Sequence, residues 1–311
     1  MIKLWWNKKS LNFEKVDWSG TDTQASRQIT FTIPSNPYDS EFENANIKLG
    51  DIVSLYDDST RLFVGAITAR ERTAEVGTAS YTAKDFMHYL LRSSMSKIYK
   101  QTTPEKIARQ ACKEAGVPCG SLADTGVTIK KLIFDEKSIY DIITRAYKSV
   151  TATTGKRYLL IMDGKKLTIT EKGKSSGVTL EQGKDITGAT YSDTTDDMVN
   201  LVKIYNDKKE QIGEVKKSNL VTKYGVYQSA YTKEDGVNAK KEAKSMLAGI
   251  KKEASVEAIG NTAAVAGKSI AIYDKATGLK GIFYITSDEH TFSDGIHTMS
   301  LELAWSTQER R

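Results

Sequence analysis

The sequence contains few of the residues that cross-link a chain, interrupt secondary structure or bind metals: its 311 residues include two cysteines, four prolines and three histidines. The spacing of Cys112 and Cys119 admits a disulfide, but we expect free thiols. So few prolines, with no low-complexity tract, argue against long disordered linkers. No apolar run approaches the roughly 20 residues that cross a bilayer, and residues 1–9 lack the apolar core of a signal peptide. We therefore expect a protein without a membrane segment that is made in the cytoplasm.

Several motifs of common catalytic and cofactor sites are also missing. The chain has no His-Glu-x-x-His pair, no Gly-x-x-x-x-Gly-Lys-Ser/Thr loop and no Gly-x-Gly-x-x-Gly turn. Its 45 Lys and Arg residues against 39 Asp and Glu residues give a net charge of +6, with none of the clustering of a nucleic-acid-binding surface. We predict a protein that is not an enzyme, with no catalytic residue, no cofactor and no metal. One alternative stays open, because the carboxylate pair of a glycosidase is recognised by its separation in space.

Two of the three histidines, His290 and His297, fall on one predicted hairpin together with the acids Asp288, Glu289 and Asp294. A zinc site would need three or four of these side chains to converge within about 2.0–2.2 Å of the metal. The segment Ser-Asp-Gly at 293–295 is typical of a turn, which already explains Asp294 and the glycine after it. We therefore interpret the segment as a plain hairpin with polar residues directed outward.

Three tryptophans, Trp5, Trp6 and Trp18, lie in the N-terminal predicted strands. Tryptophan supplies a large apolar surface with one polar atom, and it is more often a core or interface anchor than a sugar platform. We expect the anchoring role. A carbohydrate-binding protein remains the alternative that these residues would support.

The chain contains an internal repeat. Gly-Asp-Ile-Val-Ser-Leu-Tyr-Asp at Gly50–Asp57 matches Gly-Lys-Ser-Ile-Ala-Ile-Tyr-Asp at Gly267–Asp274. The following strands, Val64–Thr68 and Ile282–Thr286, also match, with one residue inserted in the turn between. Both copies alternate apolar and polar residues, which is typical of half-buried β-ribbons. The repeat predicts two related β-modules far apart in one chain.

Helix signals interrupt this β pattern. Thr103 followed by Pro104 is a helix N-terminus, and Ser138 with Asp141 three residues later resembles a capping box. The pair Asp-Gly at 163–164, between two β-type runs, predicts a hairpin. The fold class is therefore α+β and mainly β, with two small β-barrel modules, an inserted helical and hairpin part, and a connecting helix. The predicted segments are the first barrel module at 1–95, the insertion at 96–177, strands completing the first barrel at 178–234, the connecting helix at 235–252 and the second barrel module at 253–311.

The order of these motifs resembles that of a known family. The motifs that carry the resemblance are Arg27–Pro34, Ile47–Leu55, Leu62–Ile67, Lys223–Gly225, the Ala- and Lys-rich helix from Ala239, Ile259–Asn261, Gly281–Ile285, His290 and His297–Met299. Together and in this order they are similar to the baseplate hub proteins of contractile phage tails, above all the tail hub of PBSX-like prophages, a relative of the Mu-like late-control hub. The match spans nearly the whole chain.

The resemblance implies a structural virion protein and several partners. It implies a homotrimer whose two modules alternate around the axis and join a six-fold tail tube, or its initiating protein, to a three-fold central spike. It also implies contacts with other baseplate proteins, a channel through which tape-measure protein or DNA passes, and assembly into the tail baseplate. We expect the paired corners Tyr56-Asp57 and Tyr273-Asp274 to transfer load. The alternatives from other functional classes are a cell-wall glycan hydrolase and a carbohydrate-binding tail adhesin.

Overall fold

The computed structural model describes residues 1–23, 26–73 and 76–305. The fold is mainly β with several short helices, as the sequence predicted. The last six positions of the predicted second module, 306–311, lie outside the described residues.

The strands, in chain order, are β1 Ile2–Trp6, β2 Lys9–Leu11, β3 Lys15–Thr21, β4 Gln28–Ser35, β5 Ile52–Asp57, β6 Thr60–Glu71, β7 Gly77–Asp85, β8 Ser94–Thr102, β9 Cys119–Leu122, β10 Ile129–Ser138, β11 Tyr158–Asp163, β12 Lys166–Glu171, β13 Ser175–Glu181, β14 Ile186–Thr194, β15 Leu201–Tyr205, β16 Gln211–Lys216, β17 Gln228–Thr232, β18 Lys251–Ile259, β19 Ser269–Tyr273, β20 Lys280–Ser293 and β21 Ile296–Ala304. The helices are α1 Met87–Arg92, α2 Pro104–Glu114, α3 Ile139–Ser149, α4 Thr151–Thr154, α5 Ser218–Tyr224 and α6 Ala239–Ser245. Within the described ranges, none of these helices has the length and apolar character needed to span a membrane.

Most strands belong to one open sheet. Its main path runs β14-β18-β21-β20-β3-β4-β7-β6-β5-β1-β2, and β19 pairs both with β20 and with β13. The prediction of closed barrels is not met, because no ring of paired strands closes among the residues that the structure describes. The reason is the antiparallel pairing of β3 with β20, which joins the two copies of the repeat into one continuous sheet.

The repeat extends to the order of the strands. Around the first copy the order is β5-β6-β7-β4-β3, and around the second it is β19-β20-β21-β18-β14. Each order contains a hairpin, the strand that follows it, and two strands that precede it in the chain. Strands β13 and β14 thus pair with strands of the second copy, which differs from the predicted use of 178–234 to complete the first module.

The core of the first copy follows from simple alternation. In β4, Ile29, Phe31 and Ile33 are buried on one face, while Thr30 and Thr32 lie between them on the other. Phe31 stacks on Tyr81 of β7 with ring centroids 5.4 Å apart. Burying such side chains contributes about 1.5–3 kcal/mol each, so this face holds the sheet together.

The insertion has its own core beneath helices α2 and α3. Helix α2 begins at Pro104, and helix α3 begins after Ser138, whose hydroxyl accepts a hydrogen bond from the Asp141 amide at 3.0 Å. Both predicted helix starts are therefore confirmed. The predicted hairpin at 163–164 joins β11 to β12. Cys112 and Cys119 lie in this part, and both are free thiols.

Residues 190–254 form a second compact unit, whose boundaries fall inside β14 and β18. Its three strands pair in the order β16-β15-β17, and buried Val202 and Ile204 of β15 pack with Ala243 of α6. Helix α6 occupies only 239–245 of the predicted 235–252, since Asn238 caps its start and Ala248 pairs with Val199 in an antiparallel bridge. Residues 218–224, within a segment predicted as strands, form helix α5.

Candidate functional site

The two copies of the repeat form the hairpins β5–β6 and β19–β20 in the same register. Four successive cross-strand pairs correspond one to one: Ile52–Ala66, Val53–Gly65, Ser54–Val64 and Leu55–Phe63 match Ser269–Tyr284, Ile270–Phe283, Ala271–Ile282 and Ile272–Gly281. The offset in residue number between the two copies is one larger in the second strand than in the first, so the inserted residue lies in the turn between the strands. The repeat predicted from the sequence is a true structural repeat.

A backbone corner before each hairpin is also repeated. The amide of Gly50 donates to the Ile67 carbonyl at 2.9 Å, and the amide of Gly267 donates to the Ile285 carbonyl at 2.8 Å. The bonds that return from the second strands match as well, from Ile67 to Asp51 at 2.8 Å and from Ile285 to Lys268 at 2.9 Å. The two glycines have φ of +88° and +87°, values that side chains disfavour. Glycine is thus required at both corners.

The likeness continues into the long second strand of each hairpin. A bulge at Thr68 in β6 has its equivalent at Thr286 in β20. The Thr68 hydroxyl donates to the Thr82 carbonyl at 3.4 Å, and the Thr286 hydroxyl donates to the Glu302 carbonyl at 3.2 Å. Bulges bend a strand and increase its twist, so the two copies of the repeat bend at the same point.

Alanine at either corner glycine should destabilise the fold. We expect Gly50→Ala to lower the free energy of unfolding by about 1 kcal/mol, because alanine is strained at this φ. Gly267→Ala should cost about 2 kcal/mol, because its Cβ would also lie 2.3 Å from Leu159 Cδ2, which must move. Urea unfolding measures both values. Gly213→Ala is the control, since its φ is not in the positive region and its nearest neighbour atom is 3.8 Å away; equal losses in all three variants would contradict the corner argument.

The outer faces of the two hairpins present matching side chains. Tyr56 and Val64 are partly exposed on the first hairpin, and Tyr273 and Ile282 occupy the equivalent places on the second. Tyr273 is 45% exposed and Ile282 is 69% exposed, which is high for residues of this size. We name the two pairs the first and second outer patches. Each patch is an apolar surface of the type that interfaces use.

The aspartates next to these tyrosines have different surroundings. Asp57 lies 3.3 Å from the Met1 ammonium and accepts a hydrogen bond from the Thr262 hydroxyl at 3.5 Å. Asp274 accepts from the hydroxyl and the amide of Thr277, at 2.5 and 2.8 Å, and these bonds hold the pKa of its carboxyl below the ordinary value. Asp274 therefore caps a turn within its own copy, whereas Asp57 contacts a residue near the second copy.

A buried polar cluster lies where β3 pairs with β20, at the junction of the two copies. It contains Arg27, Asp288 and His290, with His297 and Trp18 against it. The Arg27 guanidinium donates two hydrogen bonds to the Asp288 carboxylate, at 2.9 and 2.5 Å, and its carbon lies 4.3 Å from the Trp18 ring centroid. The Asp288 and His290 side chains are fully buried. The cluster connects one chain segment from each copy through a charged pair.

Two backbone features complete the site of the ion pair. Asp288 also accepts from the Ala266 amide at 2.6 Å, which fixes the loop before the second hairpin. Gly20 lies opposite Asp288 in the β3–β20 ladder, and a Cβ on Gly20 would come within 2.6 Å of Arg27 Nη1. The missing side chain at Gly20 thus leaves room for the guanidinium.

The protonation of the histidines follows from their partners. Burial, with Arg27 and His297 nearby, lowers the pKa of His290 to about 4, although Asp288 acts in the opposite direction. His290 is therefore neutral at pH 7. Its Nε2 faces the Ala264 carbonyl at 3.1 Å and so carries the proton, which leaves Nδ1 to accept from His297 Nε2 at 3.0 Å. Burial also lowers the pKa of His297.

The hairpin that carries these histidines forms as interpreted from the sequence, but the expectation that its polar residues are directed outward is wrong for Asp288 and His290, whose side chains are fully buried. Asp294 and Gly295 form a two-residue turn with φ of +53° and +74°, between the paired Ser293 and Ile296. Glu289 and Asp294 are exposed, away from the histidine contact. Among residues 1–23, 26–73 and 76–305, no three His, Cys, Asp or Glu side chains form a group that could hold a metal ion.

The tryptophans are placed as packing residues. Trp18 is 4% exposed, and its ring lies 5.0 Å from that of His290. Trp6 is partly buried and donates from its indole nitrogen to Asp51 at 2.9 Å. Trp5 is partly buried in β1, opposite Ser54 of β5. All three tryptophans are at least partly buried.

One serine motif falls outside the catalytic patterns considered above. Residues Gly173–Gly177 read Gly-Lys-Ser-Ser-Gly, the Gly-x-Ser-x-Gly pattern of a nucleophile elbow. An elbow needs a strand before the serine and a helix after it. Here Ser175 begins β13, pairs with Ser269 of β19, and accepts a hydrogen bond from the Gly177 amide at 3.1 Å. The motif is therefore part of a sheet edge.

The Arg27–Asp288 pair could not have been found from the sequence. The two residues are separated by 261 positions, and neither the motif Arg27–Pro34 nor the acid and histidine segment at 288–297 indicates that they pair. Nothing in the alternating pattern of β3 or β20 shows that the two strands pair. The only signal in the sequence was the cluster of histidines and acids at 288–297, which was considered there as a candidate zinc site.

Comparison with known proteins agrees with this architecture. A family model described as YqbQ-like matches residues 16–304. The XkdQ protein of the phage-like element PBSX of Bacillus subtilis (strain 168) is 30% identical over 301 residues, which cover 93% of this chain and 91% of that protein.

Solved structures share the fold at lower identity. The 43 kDa tail protein of prophage MuSo2 from Shewanella oneidensis matches with a TM-score of 0.74 at 15% identity, covering 97% of both chains. The c3393 protein of E. coli, a type VI secretion component with structural similarity to the T4 tail proteins gp27 and gp5, matches with a TM-score of 0.56 at 11% identity, covering 99% of this chain and 77% of that one. The fold is thus that of phage-type tail proteins.

Proposed function

This chain belongs to the YqbQ-like family, and we propose that it is the structural baseplate hub of a contractile phage tail or phage-tail-like particle. The observation that carries the proposal is the repeat of the hairpins β5–β6 and β19–β20 in one register. A closed trimer of such chains presents six similar hairpins around one axis. It can match a six-fold tail tube on one side and a three-fold central spike on the other.

The two strand groups act as the two barrel-type modules of the hub. Their equivalent strand orders, β5-β6-β7-β4-β3 and β19-β20-β21-β18-β14, support this assignment. The main sheet is open at both ends, and closed rings are built from contacts between different surfaces of neighbouring subunits. Insertion 96–177 and the unit at 190–254 are then additions to a repeated framework, each available to a different neighbour.

The hub acts through geometry and catalyses no reaction. It holds the spike, nucleates or caps the tube, contacts other baseplate proteins and surrounds an axial channel for tape-measure protein or DNA. The fold shared with the prophage tail protein and with the type VI secretion component supports this role. The two outer patches, Tyr56 with Val64 and Tyr273 with Ile282, are the surfaces that contact equivalent tube subunits, next to the Tyr-Asp corners.

The first test is the mass in solution, by light scattering, of the protein alone and mixed with the spike protein of the same particle. A trimer of about three times 34.4 kDa, or a complex with three copies of each protein, is expected. A hub whose interfaces are polar assembles only with its partner, so the mixed sample decides. A monomer in both samples would overturn the trimeric adaptor.

The outer patches predict a paired effect on assembly. Tyr56→Ser and Tyr273→Ser should each reduce the yield of complete tails, and the double variant should reduce it by about tenfold or more, because tyrosines at interface centres often contribute over 1.4 kcal/mol. Tails are counted by electron microscopy after complementation. The control is Tyr38→Ser, since Tyr38 is 74% exposed and lies in neither copy of the repeat. Equal yields from the double variant and the control would rule out the patches as tube contacts.

A further inference from the structure

The positive charge of the chain is concentrated in the insertion. Residues 96–177 contain 16 Lys and Arg residues against 8 Asp and Glu residues, a net charge of +8, whereas the whole chain carries +6. The rest of the chain is therefore slightly acidic. A charge difference of this size between parts of one protein attracts partners of opposite charge to the basic part.

The ribbon of β8 and β10 belongs to this insertion and has two different faces. Its inner face carries Tyr99 and Phe134, both buried in the helical core. On its outer face Ile98 lies directly opposite Ile133, and these side chains are 55% and 51% exposed. A cross-strand isoleucine pair normally stabilises a sheet by being covered. In the described chain this pair is open to solvent.

Two lysines stand beside the isoleucines on the same face. Lys100 lies directly opposite Lys131 in the ladder. Directly opposite residues have Cβ atoms about 4.5–5.5 Å apart, and like charges in such a pair are destabilising. Neither lysine forms an ion pair with any residue that the structure describes, whereas neighbouring Lys97 lies 3.8 Å from Glu114. The ribbon thus presents two opposed cations and no carboxylate between them.

At the end of the outer face away from the lysines, two polar side chains form a hydrogen bond with each other. The Ser96 hydroxyl donates to Asp135 at 2.9 Å, so that carboxylate is directed toward its own ribbon. From one end to the other, the outer face therefore carries a lysine pair, an isoleucine pair and the hydrogen-bonded pair of Ser96 and Asp135. We call the first two pairs the ribbon face: Lys100, Lys131, Ile98 and Ile133.

We propose that the ribbon face binds an acidic, partly apolar segment of another protein, whose carboxylates pair with the two lysines and whose aliphatic side chain covers the two isoleucines. A protein segment fits better than a nucleic acid, because single strands are held by stacking on aromatic rings and the ring of Tyr99 is buried on the opposite face. The identification of the partner as a component of the particle rests on the proposed function. The inference from the chemistry of the surface does not depend on that function.

Binding can be measured on the full chain with defined probes. The test probe is a fluorescein-labelled short peptide of alternating glutamate and valine, followed by fluorescence anisotropy at low salt. Peptides of glutamine with valine and of glutamate with serine remove the charge or the apolar side chains. The glutamate–valine peptide should bind about tenfold more tightly than either of them. Tighter binding of a single-stranded DNA of equal length would overturn the proposal in favour of a general polyanion surface.

Substitutions locate the binding on the ribbon face. Lys100→Gln with Lys131→Gln should weaken peptide binding at least about tenfold, and Ile98→Thr with Ile133→Thr should weaken it similarly. The control is Lys240→Gln with Lys241→Gln, an exposed lysine pair on α6, which should leave binding unchanged. Far-UV circular dichroism verifies that each variant is folded. An equal loss in the control, or none in the ribbon variants, would overturn the proposal.

A photocrosslink identifies the partner in the particle. Ile133→p-benzoylphenylalanine in purified tails should crosslink to an acidic segment of a second protein, which mass spectrometry identifies. A chain that is present in tails without a crosslink at this position would overturn the assignment to a particle component. A chain that binds the peptide but is absent from tails would instead contradict the hub function and leave the ribbon face supported.

Discussion

Replacing Arg27 with methionine is expected to lower the free energy of unfolding by about 3–5 kcal/mol, the range seen when one partner of a buried ion pair is removed. The Asp288 side chain is 0% exposed, so without Arg27 its charge loses its guanidinium partner, and the nearby His290, 3.5 Å away, is neutral at pH 7. The Ala266 amide, at 2.6 Å, is the main remaining donor, and one hydrogen bond does not offset the burial of a carboxylate. Urea unfolding followed by tryptophan fluorescence measures the loss.

Three further variants test whether the loss of stability in Arg27→Met comes from the buried ion pair. Arg61→Met is the matched control, because Arg61 pairs with Asp163 at 2.8 Å on the surface, with side chains 43% and 71% exposed, and such pairs contribute about 0–1 kcal/mol. Arg27→Lys should fall between wild type and Arg27→Met, since an ammonium keeps the charge but loses the two-point contact. Adding Asp288→Asn to Arg27→Met should recover at least about 1 kcal/mol. If Arg27→Met cost no more than Arg61→Met, the junction would not depend on this pair.

Acidification should weaken the junction through His290. The pKa of this side chain is lowered in the fold from 6.5 to about 4, so between these values the unfolded chain binds more protons than the folded one. Stability therefore rises with pH across this interval, and it is lost as the pH falls from about 6.5 towards 4. The full shift corresponds to about 3 kcal/mol, at 1.36 kcal/mol per pKa unit. Urea midpoints at a series of pH values measure it.

A second buried group acts in the opposite direction and must be separated. Burial raises the pKa of Asp85 from 3.8 to about 6, against the hydrogen bonds from Ser26 and the Arg27 amide, so its contribution falls as the pH rises through this window. Comparing His290→Gln with the parent in an Asp85→Asn background removes that contribution. The His290 parent should lose stability on acidification and the glutamine variant should lose less, with the remaining loss coming from His297, whose pKa burial also lowers. Parallel curves would show that His290 is not the sensor.

Local signals in the sequence were sufficient for the elements of the insertion. The Ser138 hydroxyl caps the free amide of Asp141 three residues later, and Pro104, at the first helical position, has no amide hydrogen that needs a partner. The same was true of the hairpin turn at 294–295, where positive φ values at both central residues match an Asp-Gly turn. Such features depend on neighbours in the chain, so they can be predicted without knowledge of the fold.

Features that depend on distant partners were missed or misplaced. Helix α5 at 218–224 lies in a segment predicted as strands, and α6 stops at Ser245 because Ala248 bridges to Val199. Strands β13 and β14 pair with the second copy of the repeat, although the alternation in 178–234 is equally compatible with pairing to the first. Alternation shows that a strand has a buried face, but it carries no information about which edge it pairs with.

The sequence by itself determined the mainly β character, the two copies of the repeat with one residue inserted in the turn, and the helical starts of the insertion, because each depends on local periodicity, glycine conformation or capping. Only the tertiary structure decided that β3 pairs with β20, that Arg27 meets Asp288 across 261 positions, and that the two copies share one open sheet. The physical reason is that long-range pairing is selected by the packing and burial of whole faces, to which each residue contributes only a small part.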